Sequence, residues 1–296
     1  MAELEPVRTI LFVPGNRADR IDKALGSQAD AAIIDLEDAV PTKSKDEARS
    51  IVREKLLEHS NKKVLVRVNG IDTDFFLDDI QAIAVSGLSC IMVPKVEKSA
   101  DIRTINDSLT QAENKNEVEE GSIKVISLIE TALGVENVFD IVSERTSPER
   151  LFTAAFGAAD FALDMGIEMT PTGEELHYPR SKMAISCIAA KIPPPLDSPF
   201  MLDINDLETL EADARRSKQL GFQGKLCIHP KQIDVCNRVF SPTEEEIEYA
   251  KRVINAFEQA EASGQAAIKL DNKFIDYPIV HRAQRIVKLA EKISNI

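Results

Sequence analysis

Short apolar runs rich in β-branched residues recur along the chain, separated by charged segments with helical spacing. The seven clear runs are Thr9–Val13, Ala32–Leu36, Val64–Val68, Cys90–Val93, Lys124–Ile129, Leu151–Phe156 and Lys225–Ile228. Strands that alternate with helices form a parallel sheet through right-handed crossovers. Runs that are apolar throughout indicate strands covered on both faces. The pattern therefore predicts an α/β fold.

The spacing of the runs indicates eight such units. Neighbouring runs begin 23 to 34 residues apart, except for one gap of 74 residues between Leu151 and Lys225. This gap has room for another unit, with its strand near Pro193–Met201, where prolines weaken the strand pattern. Eight units favour a (β/α)8 TIM barrel over residues 1–240. An open doubly wound sheet is the alternative, although the chain has no GxGxxG motif.

After the eighth unit the alternation stops. A helix is predicted from Ser241 to about Ser263, because its start has capping residues followed by glutamates. A small hairpin over 264–274 and a last helix with an apolar stripe over 278–293 should follow. Residues 241–296 are therefore predicted to form a C-terminal helical extension that serves as a lid or as an oligomer arm.

The acidic balance of the chain limits its partners. Asp and Glu number 49 against 36 Lys and Arg, so the formal net charge is −13. Such a surface repels phosphate backbones and anionic lipid, and neither nucleic acid nor a membrane is an expected partner. Residues 1–8 lack the apolar segment of a secretory signal, and no apolar run approaches the ~20 residues that span a bilayer. The four cysteines, with no CxxC spacing among them, are Cys90, Cys187, Cys227 and Cys236. We therefore expect them to be reduced, buried thiols and the protein to be cytoplasmic.

Polar residues follow the predicted strands, whose carboxyl ends meet at one rim of a barrel. Glu130 follows the run SLI, and Asp160 follows FGAA on the adjacent strand. Two neighbouring carboxylates repel each other unless a cation lies between them. With no histidine or cysteine nearby, a hard cation such as Mg²⁺ is favoured over zinc. The alternative is that charged residues follow the strands only because loops are exposed to solvent.

Arg67 alternates with Val66 and Val68, so it points away from two apolar neighbours. Facing the barrel mouth, its guanidinium presents a two-pronged donor for a carboxylate. The alternative is a salt bridge to Glu37 or Asp38, and the two roles are compatible.

Two further segments have weaker signals. Gly157 to Asp160 places small residues on a strand-to-loop turn, where the N–H groups of Ala159 and Asp160 are candidates for binding an anionic oxygen. Arg17, Arg20 and Lys23 have helical spacing and are candidates for clamping phosphates. A tight turn and a solvated helix face are the respective alternatives.

These residues lie in motifs that together resemble the citrate lyase β-subunit-like family, which includes malyl-CoA lyases, citramalyl-CoA lyases and related thioesterases. The motifs run in order from residue 9 to residue 286 and are TILFVPGNRADR, IIDLEDAVPTKSKDEAR, VLVRVNG, IMVPKVE, SLIETALGV, FGAADFALDMG, LCIHPKQI and IDYPIVHRAQRI. The resemblance implies a (β/α)8 barrel with a C-terminal helical extension, in a homo-oligomer that is often a trimer.

The resemblance also implies roles for individual residues. It implies Mg²⁺ at Glu130 and Asp160, and Arg67 at the oxygen-rich end of an α-keto acid or its hydroxy-acid precursor. Asp276, in IDYP, matches the family's catalytic acid/base, which the lid of a neighbouring subunit delivers. The resemblance further implies coenzyme A phosphates at Arg17 and Lys23, and the thioester end at Ile228 and His229.

The expected function is that of a Mg²⁺-dependent carbon–carbon lyase. It would cleave a 3-hydroxyacyl-CoA of the malyl-, methylmalyl- or citramalyl-CoA type to a short acyl-CoA and an α-keto acid. A thioesterase of the malyl-CoA type is one alternative. The other is a citryl-thioester lyase β subunit that acts within a complex.

Overall fold

Eight parallel strands, each followed by at least one helix, close into a barrel in the computed structural model of the chain. The strands pair in chain order, and the eighth pairs with the first. The (β/α)8 barrel is therefore confirmed, and the open sheet is wrong because pairing of the first and last strands leaves no edge. The strands are β1 Thr9–Pro14, β2 Ala31–Asp35, β3 Val64–Arg67, β4 Leu88–Val93, β5 Lys124–Ile129, β6 Leu151–Phe156, β7 Leu196–Asp197 and β8 Gly224–Cys227.

The structure describes residues 7–294. Residues 1–6, on which the expected absence of a secretory signal rests, lie outside the described residues, as do 295 and 296. Backbone contacts divide the chain into two units, residues 1–237 and residues 238–296. The domain boundary expected after residue 240 stays a prediction.

The seventh strand is the one that the spacing predicted in the long gap and that prolines weaken. β7 has two residues and lies inside the predicted window, directly after three consecutive prolines that cannot donate to a ladder. Leu196 pairs with Ala155 on β6 and with Gly224 on β8, so even this short strand closes the barrel.

Helices follow the strands, as the charged segments predict. They are α1 Ala18–Leu25, α2 Lys45–Glu58, α3 Phe76–Ile83, α4 Ser99–Lys115, α5 Ala132–Glu136, α6 Val138–Ser143, α7 Ala158–Met165, α8 His177–Ala189, α9 Leu207–Leu220 and α10 Ile233–Phe240. The four cysteines are free and buried, as expected.

Alternate residues of the strands fill the inside of the barrel with apolar side chains. The buried cluster consists of Val7, Ile10, Ala31, Ile33, Leu65, Cys90, Met92, Ile126, Leu128, Ala155, Leu196 and Leu226. Since side chains alternate along a strand, the next inward positions on β2, β3 and β5 fall to Asp35, Arg67 and Glu130. The apolar filling therefore ends in charged groups at the C-terminal end of the barrel.

A buried ion network ties β7 and β8 to the helices outside them. Arg180 of α8 lies 2.9 Å from Asp197 of β7 and 2.9 Å from Asp213 of α9. Lys225 of β8 is fully buried and contacts both carboxylates, with its Nζ 2.6 Å from Asp213. Burial by itself raises the pKa of Asp213, but the charges of Lys225 and Arg180 outweigh it and hold that pKa below its usual value.

The second unit contains α11 Glu244–Ala262, the antiparallel hairpin of β9 Ile268–Leu270 and β10 Lys273–Ile275, and α12 Tyr277–Ser294. A capping box starts α11, because Glu246 N–H donates to Thr243 Oγ1 and Thr243 N–H donates to Glu246 Oε2. The predicted C-terminal helical extension is confirmed, with its first helix starting at Glu244 rather than Ser241. No helix within residues 7–294 is long and apolar enough to cross a membrane.

Candidate active site

A pocket of about 470 Å³ opens at the C-terminal end of the barrel strands. Its apolar wall includes side chains that belong to or pack against the barrel filling, namely Phe12, Leu128 and Leu226, together with Phe156. The charged residues that line it are Asp35, Asp38, Glu130, Asp160, Arg20 and Arg67. An apolar pocket with a few converging polar groups is the usual form of a small-molecule site.

Arg67 is held by two acids on the floor of this pocket. Its Nε and Nη2 donate to Asp35 at 2.8 and 2.6 Å, and its Nη1 lies 2.9 Å from Glu37 Oε2. Burial by itself lowers the pKa of Arg67, but hydrogen bonding to Asp35 and the charges of Asp35, Glu37 and Glu130 outweigh it and raise that pKa. The guanidinium therefore stays charged, and its planar group lies 5.0 Å from the ring of Phe12.

Arg67 therefore forms the expected salt bridge, but only one of its two acidic partners is among those expected. Glu37 was an expected partner, whereas the bidentate partner is Asp35 rather than Asp38. The reason is strand register, because Asp35 and Arg67 are paired positions on β2 and β3. Asp38 instead lines the pocket.

Glu130 is a buried carboxylate with an excess of negative charge around it. Only 3% of its surface is exposed, and its Oε1 accepts from the N–H of Lys95 at 3.0 Å. Burial, with the charges of Glu37 and Asp160, raises the pKa of Glu130 to about 8, against the opposing effect of Arg67. Burial likewise raises the pKa of Glu37 to about 7. The charge of Arg67 does not offset this excess of negative charge, whereas a bound divalent cation would.

The donor set fits Mg²⁺. Glu130 and Asp160 offer carboxylate oxygens, and no histidine or cysteine lines the pocket among the described residues. One or two carboxylates completed by water and substrate oxygens are a common Mg²⁺ site.

Three ligand groups within 4.8 Å of one another occur once in the described part of the chain, at Asp22, Glu58 and His59. That exposed group is already bridged by Lys55, whose Nζ lies 2.8 Å from each carboxylate.

Asp160 reaches the pocket from a helix rather than from a loop. The strand-to-loop turn expected at Gly157 to Asp160 is the first turn of α7, with Gly157 as its N-cap. The first N–H bonded within the helix is that of Phe161, so the N–H groups of Ala159 and Asp160 precede the helical ladder. Both residues line the pocket, where a helix N-terminus favours an anionic oxygen.

Gly157 is required by the closeness of Glu130. A Cβ at residue 157 would lie 2.5 Å from both the Cβ and the Oε2 of Glu130, which is well inside van der Waals contact. The N–H of Gly157 continues the pairing of β5 and β6 by donating to Ile129 O at 3.0 Å. The backbone of one strand end is thus packed against the carboxylate that ends its neighbour.

A second pocket of about 540 Å³ adjoins the first. The two share Phe12, Val13, Pro14, Arg20 and Ile228 in their linings. The second is also lined by the remaining residues predicted to meet coenzyme A, which are Arg17, Lys23 and His229. The structure therefore brings these predicted contacts together, and Ile228 lines both pockets.

Asp276 lies in the second unit, just before α12. Its Oδ1 accepts from Ile279 N–H at 3.4 Å, and its carbonyl accepts from Val280 N–H at 3.0 Å. These are contacts of a residue that begins a helix. Its predicted catalytic role stays a prediction.

Sequence reasoning missed two residues of the site, Asp35 and Lys95. Asp35 could have been found, because it continues the alternation of Ala31 and Ile33 toward the barrel mouth. Lys95 contributes a main-chain N–H, for which a sequence has no side-chain signal.

Comparison with known proteins agrees with this geometry. Residues 8–230 match the model of the family described as HpcH/HpaI aldolase/citrate lyase. The chain belongs to the HpcH/HpaI aldolase/citrate lyase family. The match covers the whole barrel, including both pockets, so the resemblance stated from the motifs is confirmed.

Members of the HpcH/HpaI family align over almost the whole chain. A citrate lyase subunit beta of Leuconostoc mesenteroides is 38% identical over 285 residues, covering 96% of this chain and 93% of the relative. An L-malyl-CoA/beta-methylmalyl-CoA lyase of Cereibacter sphaeroides is 34% identical over 312 residues, covering 98% and 96%. The predicted enzyme class, a carbon–carbon lyase, is thereby confirmed.

A solved structure of the protein CitE of Mycobacterium tuberculosis is also similar to this chain. It has a TM-score of 0.78 and 27% identity, and it covers 98% of this chain and all of that one. That protein was crystallised in complex with magnesium, acetoacetate and coenzyme A.

Proposed function

We propose that this protein is a Mg²⁺-dependent lyase that cleaves a 3-hydroxyacyl-CoA of the malyl-, methylmalyl- or citramalyl-CoA type. The products would be a short acyl-CoA and an α-keto acid. The observation that carries the proposal is the joining of two pockets, one with Arg67, Glu130 and Asp160 and the other lined by Arg17 and Lys23. The similar CitE protein, with magnesium, acetoacetate and coenzyme A bound, supports it.

Glu130 and Asp160 would hold the Mg²⁺. When bound, the ion supplies Lewis-acid polarisation to oxygens of the substrate, which lowers the pKa of a hydroxyl group. The raised pKa of Glu130 and the absence of softer ligands in the pocket lining support this placement.

Arg67 would bind the carboxylate next to the reacting hydroxyl. Two of its five N–H groups donate to Asp35, and Nη1 lies 2.9 Å from Glu37 Oε2, so N–H groups on the η nitrogens remain for the substrate. Because Asp35 grips Nε and Nη2 together, the plane of the guanidinium is fixed before substrate arrives. Such preorganised donors stabilise charge in a low-dielectric pocket without reorganisation.

The N-terminus of α7 would assist where negative charge develops. In the cleavage, the hydroxyl loses its proton and becomes a carbonyl, and the bond between the carbinol carbon and the thioester α-carbon breaks. The electron pair of that bond forms the enolate of the acyl-CoA. The N–H groups of Ala159 and Asp160 are in the pocket lining and can donate to an anionic oxygen there.

Asp276 is proposed as the acid that protonates the enolate carbon, or as the base in the reverse condensation. This role rests on the resemblance of its IDYP motif. A homotrimeric assembly rests on the same ground. The four free, buried cysteines agree with a reducing, cytoplasmic location.

The test is a mass-spectrometric assay of the purified protein with Mg²⁺ and malyl-, methylmalyl-, citramalyl- and citryl-CoA. We expect an acyl-CoA and a keto acid from one of the first three, and no product from the Glu130→Gln variant. Free coenzyme A with intact hydroxy acid would instead identify a thioesterase. Activity with the citryl thioester alone, or only after partner subunits are added, would identify a citrate lyase β subunit.

A further inference from the structure

The turn that follows β4 contains a residue in a backbone conformation that L side chains rarely adopt. Lys95 has φ +51°, in the left-handed region that favours glycine. Four other non-glycine residues in the described part of the chain share this feature, and they are Glu117, Lys191, Asp271 and Asn272. Of the five, only Lys95 contacts a residue of the candidate active site. Backbone strain that persists beside a functional group suggests a role for the strained conformation.

The left-handed turn directs a main-chain donor at Glu130. The N–H of Lys95 donates to Glu130 Oε1 at 3.0 Å, and the next N–H, of Val96, donates to Leu128 O at 3.3 Å. Within residues 7–294, the Glu130 carboxylate accepts one hydrogen bond, and the donor is the Lys95 N–H. Because φ of residue 95 sets the angle between its N–H and the peptide that follows, an ordinary right-handed or extended φ would not let both N–H groups reach Glu130 and Leu128.

Gly157 closes the other side of the same carboxylate. The backbone there approaches so closely that a Cβ would lie 2.5 Å from Glu130 Oε2. The Glu130 carboxylate is therefore held between the Lys95 N–H, which donates to Oε1, and the backbone of Gly157, which packs beside Oε2.

We propose that Lys95 is a positioning residue, whose left-handed backbone fixes the Glu130 carboxylate for a divalent cation through its N–H. The inference rests on the proposed metal site at Glu130 and Asp160. The Lys95 side chain is exposed, and its ammonium favours the charged form of Glu37. The charge of the Lys95 side chain is thus an alternative explanation for any effect of Lys95 on the site. The experiment has to separate the effect of this charge from the effect of the backbone conformation.

The experiment measures the binding of Mn²⁺ alone to the full-length protein by electron paramagnetic resonance, without substrate. Lys95→Gly keeps the N–H and adopts positive φ without strain, and Lys95→Gln removes only the charge. We expect both to bind Mn²⁺ within about twofold of the wild type. Lys95→Val disfavours positive φ through its branched Cβ, and we expect its dissociation constant to rise by about tenfold or more.

Glu117→Val is the matched control, because Glu117 has φ +57° and is exposed outside the pocket lining. It should lose comparable thermal stability and keep wild-type Mn²⁺ affinity. If Lys95→Val does not fold, Lys95→Thr, whose Cβ is also branched, disfavours positive φ in the same way, and the expected order of affinity is then Gly, Gln, Thr.

Three outcomes overturn the inference. One is wild-type affinity in Lys95→Val, and another is an equal loss in Lys95→Gln, which would assign the effect to charge. The third is a wild-type protein that binds no Mn²⁺, or a Glu130→Gln variant that binds it fully. That result would remove the proposed metal site as well, whereas the first two leave the proposed function standing.

Discussion

At the scale of single residues, the site is governed by which charges are matched and which are not. Asp35 and Arg67 form a bidentate pair, so each satisfies the other in a place where an unpaired charge is costly. Glu130 and Glu37 lack an equal match, and their raised pKa values record the imbalance. A site with surplus buried carboxylate is suited to attract a cation rather than to stabilise the fold.

Gly157→Ala should weaken metal binding because its new Cβ would fall 2.5 Å from Glu130 Oε2 and displace that carboxylate. We expect the dissociation constant for Mg²⁺, measured by titration calorimetry, to rise by about 10- to 100-fold. Gly26→Ala is the control, because a Cβ there would have its nearest neighbour at 3.5 Å. Equal affinities in the two variants would contradict the close approach seen between Gly157 and Glu130.

At the scale of elements, the loops after β7 and β8 are joined through one side chain. Gln232 is buried, its Oε1 accepts from Ile228 N–H at 2.9 Å, and its Nε2 donates to Phe200 O at 2.8 Å. Ile228 lines both pockets, and Phe200 lies beside the pocket residues Pro199 and Met201. One amide thus sets the separation of two strand ends that carry pocket walls.

Gln232→Glu should break the hydrogen bond to Phe200 and keep the one from Ile228. The reason is that a carboxylate accepts from the Ile228 N–H but cannot donate to the Phe200 carbonyl. We expect a loss of about 1–3 kcal/mol in the free energy of unfolding, from the unsatisfied carbonyl and the buried acid. KM for the thioester should rise more than kcat falls, since the pocket wall moves and the carboxylates do not. Gln111→Glu, on the exposed side of α4, is the control for charge and should leave both quantities near wild type.

The ion network behind β7 and β8 makes stability depend on pH. The pKa of Asp213 is lowered in the folded state, so its contribution is present above the unfolded value of 3.8 and is lost as pH falls further. Asp213→Asn should cost about 3–5 kcal/mol at pH 7, because Lys225 and Arg180 lose a buried partner.

Urea unfolding at several pH values checks this dependence. The stability difference between wild type and Asp213→Asn should be constant from pH 7 to about pH 4 and shrink below it, where Asp213 of the unfolded state takes up a proton first. Asp140→Asn, at an exposed position of α6, should show no such change. A difference that stays constant down to pH 2.5 would contradict the lowered pKa.

At the scale of the whole molecule, the predicted site residues are divided between two units of the chain. The barrel unit contains both pockets and all of the predicted ligands except Asp276, which belongs to residues 238–296. The proposed metal site therefore lies in the barrel unit, and the energetic effect of metal binding there should appear in the unfolding of the full chain.

Mg²⁺ should raise the melting temperature of the wild-type protein, because a ligand that binds only the folded state stabilises it by mass action. At a concentration of 100 times Kd, the gain is about 2.7 kcal/mol. Differential scanning calorimetry with increasing Mg²⁺ should show a continuous rise for the wild type and none for Glu130→Gln. Addition of a chelator should return the wild type to its metal-free value. A rise of the same size in both proteins would place the ion elsewhere.

Much of this molecule follows from local sequence pattern. The β-branched runs and their spacing predict eight strands, including the two-residue β7, because strand and helix periodicities are properties of neighbouring residues. In a closed barrel, the residues that follow the strands must meet at one end. For that reason the motifs alone are enough to place Arg67, Glu130 and Asp160 in one site.

Local pattern therefore accounts for the closed barrel, the C-terminal extension and the residue types at the barrel mouth. It does not account for the pairing of Arg67 with Asp35, for the hydrogen bond from Lys95 to Glu130, or for the need for glycine at residue 157. The first two contacts join residues 32 and 35 positions apart. They depend on the register of neighbouring strands and on one backbone angle, which packing sets and which no local periodicity encodes.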